Sequence, residues 1–411
     1  MLIRASLSRH SFLSLLPFVT TAVQTQCRWN PTLLSLRPTA SCPLPVDDGT
    51  PAPLMASRGV PWTHPPHCVI ANFAGPTANG IAVIASPETA ADVVAAVKDP
   101  LPAWSSRRHL ARHGRLRTET SDLPYAVTPI PRKGLGVIAT KRINQFETII
   151  TSFPAMVADN KFFPSKQDHG PVEGAQLFQK ALDQLPDKER FLNLARSKGE
   201  HVHVVEDVVR INAFGITVDG REIKGLYPEI ARLNHACGAT AYNRFTKKDL
   251  DMSAIDTRDI EPGEEITISY IPLGMPTAYR TRALSKWGFT CTRDLCSAAS
   301  ETRGASDQRR ERLLEVYYTI QDESTSYNTL VELTHELIEL VQVERLLGKL
   351  GGYYQALMQI YYGIGDPDTA RKYGHASLKF ANIFSDTDGG FCTGLKRDLE
   401  RIDREVQKRT R

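Results

Sequence analysis

The stretch ARLNHACGATAYNRF, residues 231–245, decides how this chain is read. A short apolar segment ends on Asn234-His235, Cys237 follows, and the stretch is answered downstream by EEITISYI (264–271) and KWGFTCTRDLC (286–296). Pro262-Gly263 marks a turn, after which Ile266, Ile268 and Tyr270 alternate as on a half-buried strand. A carboxamide beside an imidazole, a strand ending in a phenol, and an aromatic, cysteine-bearing tail therefore come in a fixed order.

Upstream, YAVTPIPRKGLGVIATKRINQFETII (125–150) breaks into short strands, with Lys133, Gly134 and Gly136 between the first two. Glycine there lets backbone approach a ligand closely. No GK[ST] follows, so a phosphate-cradling loop is excluded. Residues 159–211 are expected to be helical: Leu177, Phe178, Ala181, Leu182 and Leu185 recur at helical spacing, and a second helix from about 186 would end at Gly199. RINAFGI (210–216) returns to the strand pattern, with a hairpin at Asp219-Gly220. Ahead of all this, HCVIANFAG (67–75) and NGIAVIAS (79–86) read as two strands, and SPETAADVVAAV (86–97) as a helix with Ser86 as cap and Pro87 in its first turn. From 309 onward the pattern is helical, and GYYQALMQIYYGIGDPDTARKYGHASLKF (352–380) resembles one tetratricopeptide unit. One unit does not make an array, since repeats need neighbours to bury their faces.

At 411 residues the chain has room for two or three domains. The expected division is a leader and linker at 1–60, a small α/β lead-in at 61–122, a central domain at 123–297 with its helical insert at about 159–211, and a C-terminal helical domain at 306–411. A formal charge of +4, from 50 basic and 46 acidic residues, gives no support to nucleic-acid binding through a basic face. Seven cysteines are too sparse for a disulfide scaffold in a chain of this size. His64, His67 and Cys68 supply three candidate metal ligands where about four are needed, so a loop role is expected for them. Residues 1–46 carry no acidic residue but several arginines and serines, as in a mitochondrial presequence, and the apolar run 12–23 would serve as the core of a secretory signal. That run is too short to span a membrane, and a terminus with no address is the third reading.

The ordered set from Lys133 to Cys296 resembles the SET domain of protein-lysine methyltransferases. The resemblance implies an α+β fold in which a pseudoknot brings the Asn-His stretch beside the tyrosine, S-adenosyl-L-methionine as cofactor, and a lysine side chain of a histone or non-histone protein as substrate. It implies that Tyr270 is catalytic, that Asn234 and His235 hold the cofactor, that Lys133, Gly134 and Gly136 form the turn around its methionine end, and that Trp287 and Phe289 close over the adenine or line the lysine channel. The helical insert stands where the family varies, and the lead-in resembles the segment preceding this domain in many fungal members. The C-terminal helices are expected to offer a surface to a protein partner. By resemblance the location is nucleus or cytoplasm.

Three departures from the family pattern stand out. Phe146 replaces the usual glycine before Glu147. The expected Asn-His-Ser-Cys-x-Pro-Asn reads Asn-His-Ala-Cys-Gly-Ala-Thr at 234–240. In the tail, the middle cysteine of Cys-x-Cys-x-x-Cys is Arg293, leaving Cys237, Cys291 and Cys296 where a closed structural zinc site takes four ligands, so no zinc is expected. Taken alone, Tyr270 reads as a core aromatic, His235 as a satisfied histidine, and Trp287 and Phe289 as packing. An alternative of another class stays open: a SET-like scaffold without turnover that holds protein partners.

Overall fold

The computed structural model describes residues 68–72, 81–96, 123–160, 177–195 and 203–409, apart from positions 180, 186, 248, 249, 286 and 323. The leader and linker, His64, His67 and the basic run at 107–117 lie outside them, and of Cys68 only the strand is described. The lead-in comprises β1 (Cys68–Asn72), β2 (Ile81–Ala85) and α1 (Pro87–Ala96), whose first turn is capped where the Thr89 amide donates to Ser86 Oγ at 3.3 Å. Next come β3 (Tyr125–Ile130), β4 (Gly134–Ala139), β5 (Thr148–Ser152) and β6 (Met156–Asp159). The insert supplies α2 (Lys188–Leu192) and α3 (Val204–Asn212). Strands β7 (Ala213–Val218) and β8 (Arg221–Leu226) form the hairpin expected at Asp219-Gly220, both of which have positive φ, as a tight hairpin turn requires. Then follow β9 (Asn234–His235), β10 (Ala241–Thr246), β11 (Asp251–Asp256) and β12 (Glu265–Ile268). The rest is helical: α4 (Thr277–Ser285), α5 (Asp294–Ser297), α6 (Ser300–Thr319), α7 (Tyr327–Val343), α8 (Leu350–Gly363), α9 (Pro367–Phe384) and α10 (Gly390–Arg409). The fold is α+β.

Three small sheets carry the strands, in the orders β1-β2-β6-β8-β7, β10-β11-β5 and β3-β4-β12-β9. The sequence IAVIA of β2 explains its place: all five residues are buried, as in a strand covered on both faces. Ile81, Val83 and Ala85 join the main core beneath the sheets, while Ala82 and Ile84 meet Leu177, Phe178, Leu182 and Val208 of the insert. Strand β2 pairs in parallel with β6, so the lead-in extends the central sheet.

Two features position the site. Glu261-Pro262-Gly263-Glu264 is a turn closed by Glu264 N donating to Glu261 O at 3.1 Å, and Gly263 sits at φ +90°, where only glycine is free of strain. It launches β12, which pairs antiparallel with β4 on one side and parallel with β9 on the other. The parallel contact sets Asn234 against Thr267 and His235 against Ile268, so the chain beyond Ile268 emerges beside the histidine ring.

The C-terminal helices dock on the β10–β11 side. Phe146 occupies the third position of a turn closed by Glu147 N donating to Asn144 O, with φ +73°, a conformation that strains any side chain. Its ring lies edge-on to Phe380 and Phe384 of α9, at centroid distances of 6.1 and 5.8 Å. Tyr242 meets Phe384 at 5.4 Å, and Arg244 Nη1 donates to the carbonyls of Asn382 and Ile383, placing a cation at the carboxyl end of that helix.

Candidate active site

The parallel pairing of β9 with β12 makes a corner in which every polar group can be assigned. Asn234 Nδ2 lies 3.2 Å from the Leu135 carbonyl and 3.0 Å from Glu265 Oε1. Both neighbours are acceptors, which fixes the amide nitrogen on that side. Its Oδ1 accepts no hydrogen bond among the described residues. Gly136 is what allows this seating: a Cβ there would stand 2.6 Å from Asn234 Nδ2 and 2.6 Å from Ile130 Cγ1. Both Lys133 and Gly134 lie exposed at the neighbouring turn. The Lys133 ammonium is held below its usual pKa first by burial and then by the charge of Arg293, with Glu265 and Cys291 opposing.

His235 is buried, and the two sides of its ring do different work. The Tyr270 backbone amide donates to Nδ1 at 3.0 Å, so in the neutral ring the proton sits on Nε2. That nitrogen faces Cys237 Sγ at 3.2 Å. The Tyr270 hydroxyl donates to the Leu233 carbonyl at 2.8 Å, leaving its oxygen lone pairs as acceptors. Burial, with a smaller contribution from Glu265, pushes its pKa up to about 12, so the phenol is neutral at physiological pH. Trp287 lies 5.2 Å from the Tyr270 ring, and Phe289, 38% exposed, lies 5.8 Å from His235 and 6.3 Å from Tyr270. The residues singled out from the sequence thus converge at one corner: a carboxamide oxygen and a phenol oxygen, both able to accept, among three aromatic walls.

Beneath the histidine, one ligand atom each of His235, Cys237 and Cys291 lies within 4.8 Å of the others, and the Cys296 thiol stands close enough to both cysteines to affect their ionisation. Cys291 is the acceptor of this group: hydrogen bonds from Cys237, Cys296 and then His235 lower its pKa. Cys237 is raised, first by its bond to Cys291 and then by Cys296 and burial. With its Nδ1 lone pair spent on the Tyr270 amide, His235 presents N–H rather than a lone pair to the sulfurs. Three thiols remain, one short of a closed tetrahedral zinc site.

Two members of the corner carry no mark in the sequence. Glu265 lies beside the Asn234 amide, and Arg293, read there only as a missing cysteine, forms an ion pair with it. A glutamate opening a strand after a Pro-Gly turn is ordinarily a solvated residue, and nothing local separates this one from Glu264.

Residues 134–271, which hold most of these strands and the Asn234–Tyr270 corner, match the SET domain family model. Over 197 residues the chain is 30% identical to Histone-lysine N-methyltransferase set5 of Schizosaccharomyces pombe, an alignment covering 47% of this chain and 56% of that protein. It is 31% identical over 130 residues to N-lysine methyltransferase SMYD2-B of Danio rerio, covering 30% of this chain and 26% of the other. Against N-lysine methyltransferase SMYD2 of Homo sapiens it is 25% identical over 175 residues, 37% of this chain and 40% of the relative. The chain therefore spans between about a quarter and just over half of the length of these relatives.

Proposed function

We propose that this chain is an S-adenosylmethionine-dependent protein-lysine N-methyltransferase. The observation that carries the proposal is the pair of unspent acceptors, Asn234 Oδ1 and the Tyr270 phenol oxygen, held at one corner by the Leu135 and Leu233 carbonyls and the Glu265 carboxylate. The names of the relatives, all lysine methyltransferases, support it at the level of the family.

When bound, S-adenosylmethionine supplies an activated methyl group. The residues present fit it. With both amide hydrogens of Asn234 committed, its oxygen is oriented to accept from an ammonium such as that of an amino-acid moiety. Gly134 leaves backbone exposed to a ligand, Gly136 makes room for the Asn234 carboxamide, and Lys133 brings a cation for a carboxylate. Tyr270, Trp287 and Phe289 offer a partly dry wall for a lysine side chain. Removing water lowers an amine's pKa from about 10.4, which favours the neutral nucleophile. The neutral Tyr270 oxygen then accepts from the amine and fixes its direction, and alignment of this kind is worth several kcal/mol of barrier. The substrate lysine belongs to a histone or another protein, and the C-terminal helices are the proposed partner surface.

The test is isothermal titration with S-adenosylmethionine, followed by transfer of labelled methyl to proteins of a lysate read by mass spectrometry. Binding and labelled lysine are expected. Absence of binding at millimolar cofactor would overturn the enzyme reading and leave the scaffold reading.

A further inference from the structure

We infer that Arg293 is a positioning residue for the cofactor corner, acting through Glu265 on the Asn234 carboxamide. The inference rests on the cofactor reading above and names a residue that the reading does not use.

The geometry runs as a short relay. Arg293 Nη2 is ion-paired with Glu265 Oε2, and the other oxygen of the same carboxylate accepts from Asn234 Nδ2 at 3.0 Å. One carboxylate thus bridges a guanidinium and the amide whose orientation decides where Oδ1 points. The Glu265 side chain is only 8% exposed and that of Arg293 26%, so the pair is shielded. A buried carboxylate without its cation is strongly unfavourable and would turn toward water or toward Lys133. Lys133 is close enough to feel both charges. Either move would remove one of the two acceptors that hold the Asn234 amide. Arg293 Nε and Nη2 are both buried with no hydrogen-bond acceptor among the described residues, so the guanidinium relies on the charge of Glu265 beside it for its neutralisation.

The tail is tied to the corner by the same residue. The Arg293 carbonyl accepts from Cys296 N at 2.7 Å, and α5 begins at the next residue. Residues 287–296 carry Trp287 and Phe289, so an ion pair at Arg293 fastens the aromatic wall and aims the carboxamide together. Where three thiols fall short of closing a metal site, a charge pair supplies the link between tail and core.

The experiment is calorimetric titration with S-adenosylhomocysteine, an unreactive probe, on the full chain and four variants: Arg293→Met, Arg293→Lys, Glu265→Gln and the double variant Arg293→Met/Glu265→Gln. Loss of one charge-assisted hydrogen bond corresponds to about tenfold in affinity, and that weakening is expected for Arg293→Met and for Glu265→Gln. Arg293→Lys, which keeps the cation, is expected to recover most of the affinity. The double variant is expected to bind no worse than Glu265→Gln alone, because the arginine acts only through the glutamate. Unchanged binding in Arg293→Met, or losses that multiply in the double variant, would overturn the inference while leaving the cofactor reading intact. Should Arg293→Met fail to fold by circular dichroism, the contrast between Arg293→Lys and Glu265→Gln decides, and equal affinities in those two overturn the relay. Absence of binding by the unaltered chain would overturn the cofactor reading itself.

Discussion

Two junctions form on this domain, and they differ in what they leave unspent. At the corner of β9 and β12, segments about 30 residues apart meet through hydrogen bonds that consume the donors of Asn234 and Tyr270 and leave acceptor oxygens over. At the face of β10 and β11, Phe146, Tyr242 and Arg244 meet the end of α9, and rings and carbonyls there are filled by protein. The first has the character of a site awaiting a ligand, the second that of an interior. What separates them is that α9 covers the second, whereas no described residue donates to the Asn234 and Tyr270 oxygens at the first.

The corner breaks most severely at Tyr270. Tyr270→Phe keeps the ring packing against Trp287 and His235 but removes the oxygen, and methyl transfer is expected to fall by about 100-fold or more. Cofactor affinity by titration is expected to change little. Because its pKa is pushed up to about 12, the phenol stays neutral between pH 8 and 10, and methyl transfer by the unaltered chain is expected not to decline over that interval while the substrate amine deprotonates. A decline through that interval would assign the phenol a different ionisation.

The closed junction is next. Phe146→Ala removes a ring from between Phe380 and Phe384 while keeping the left-handed backbone, and a loss of about 2–4 kcal/mol in unfolding free energy is expected. Phe146→Gly loses the same ring but relieves the strained turn, so it is expected to be more stable than the alanine variant by about 1 kcal/mol. Denaturant melts of the two variants side by side read the difference, and equal midpoints would mean that the turn stores no strain.

These contrasts bear on what could be read from residues alone. That Asn234, His235 and Tyr270 would meet was legible because their identity and order along the chain match a known pattern. Phe146 was visible as a departure from the family pattern, but its reason was not: the rings that compensate it lie more than 200 residues away, on a helix whose docking no local pattern encodes. The union of the lead-in with the central sheet was hidden for the same reason, since β2 pairs with β6 across about 75 residues. Glu265 and Arg293 escaped because an ion pair has no period and no spacing.

Gly136 tests how tight the open corner is. Gly136→Ala would drive a methyl into Asn234 Nδ2 and Ile130, and the carboxamide must move. Cofactor affinity is expected to fall by about tenfold, the equivalent of one hydrogen bond, with a smaller drop in melting temperature. Unchanged affinity would show that Asn234 can shift without cost.

The smallest effect belongs beneath the closed junction, at Asp256. This carboxyl is buried under the 144–147 turn, where its own amide donates to the Glu147 carbonyl. Burial, helped by the charges of Glu147 and Asp259 and opposed by the amides of Phe146 and Glu147, pushes its pKa from 3.8 to about 7. The folded state therefore holds a proton that the unfolded state releases between those values. Its contribution to stability is fully present below about pH 4 and is lost as pH rises through about 7. Asp256→Asn keeps the shape and removes the titration. Its unfolding free energy is expected to exceed that of the unaltered chain by about 1 kcal/mol at pH 8, only part of the full linkage value because of solvent screening, and to match it below about pH 4. Melting curves of both proteins across that range isolate this group from the carboxylates whose ion pairs weaken in acid, since those are common to the two. A difference independent of pH would mean that the carboxyl is ionised throughout and that the closed junction, like the open corner, holds a charge it has neutralised.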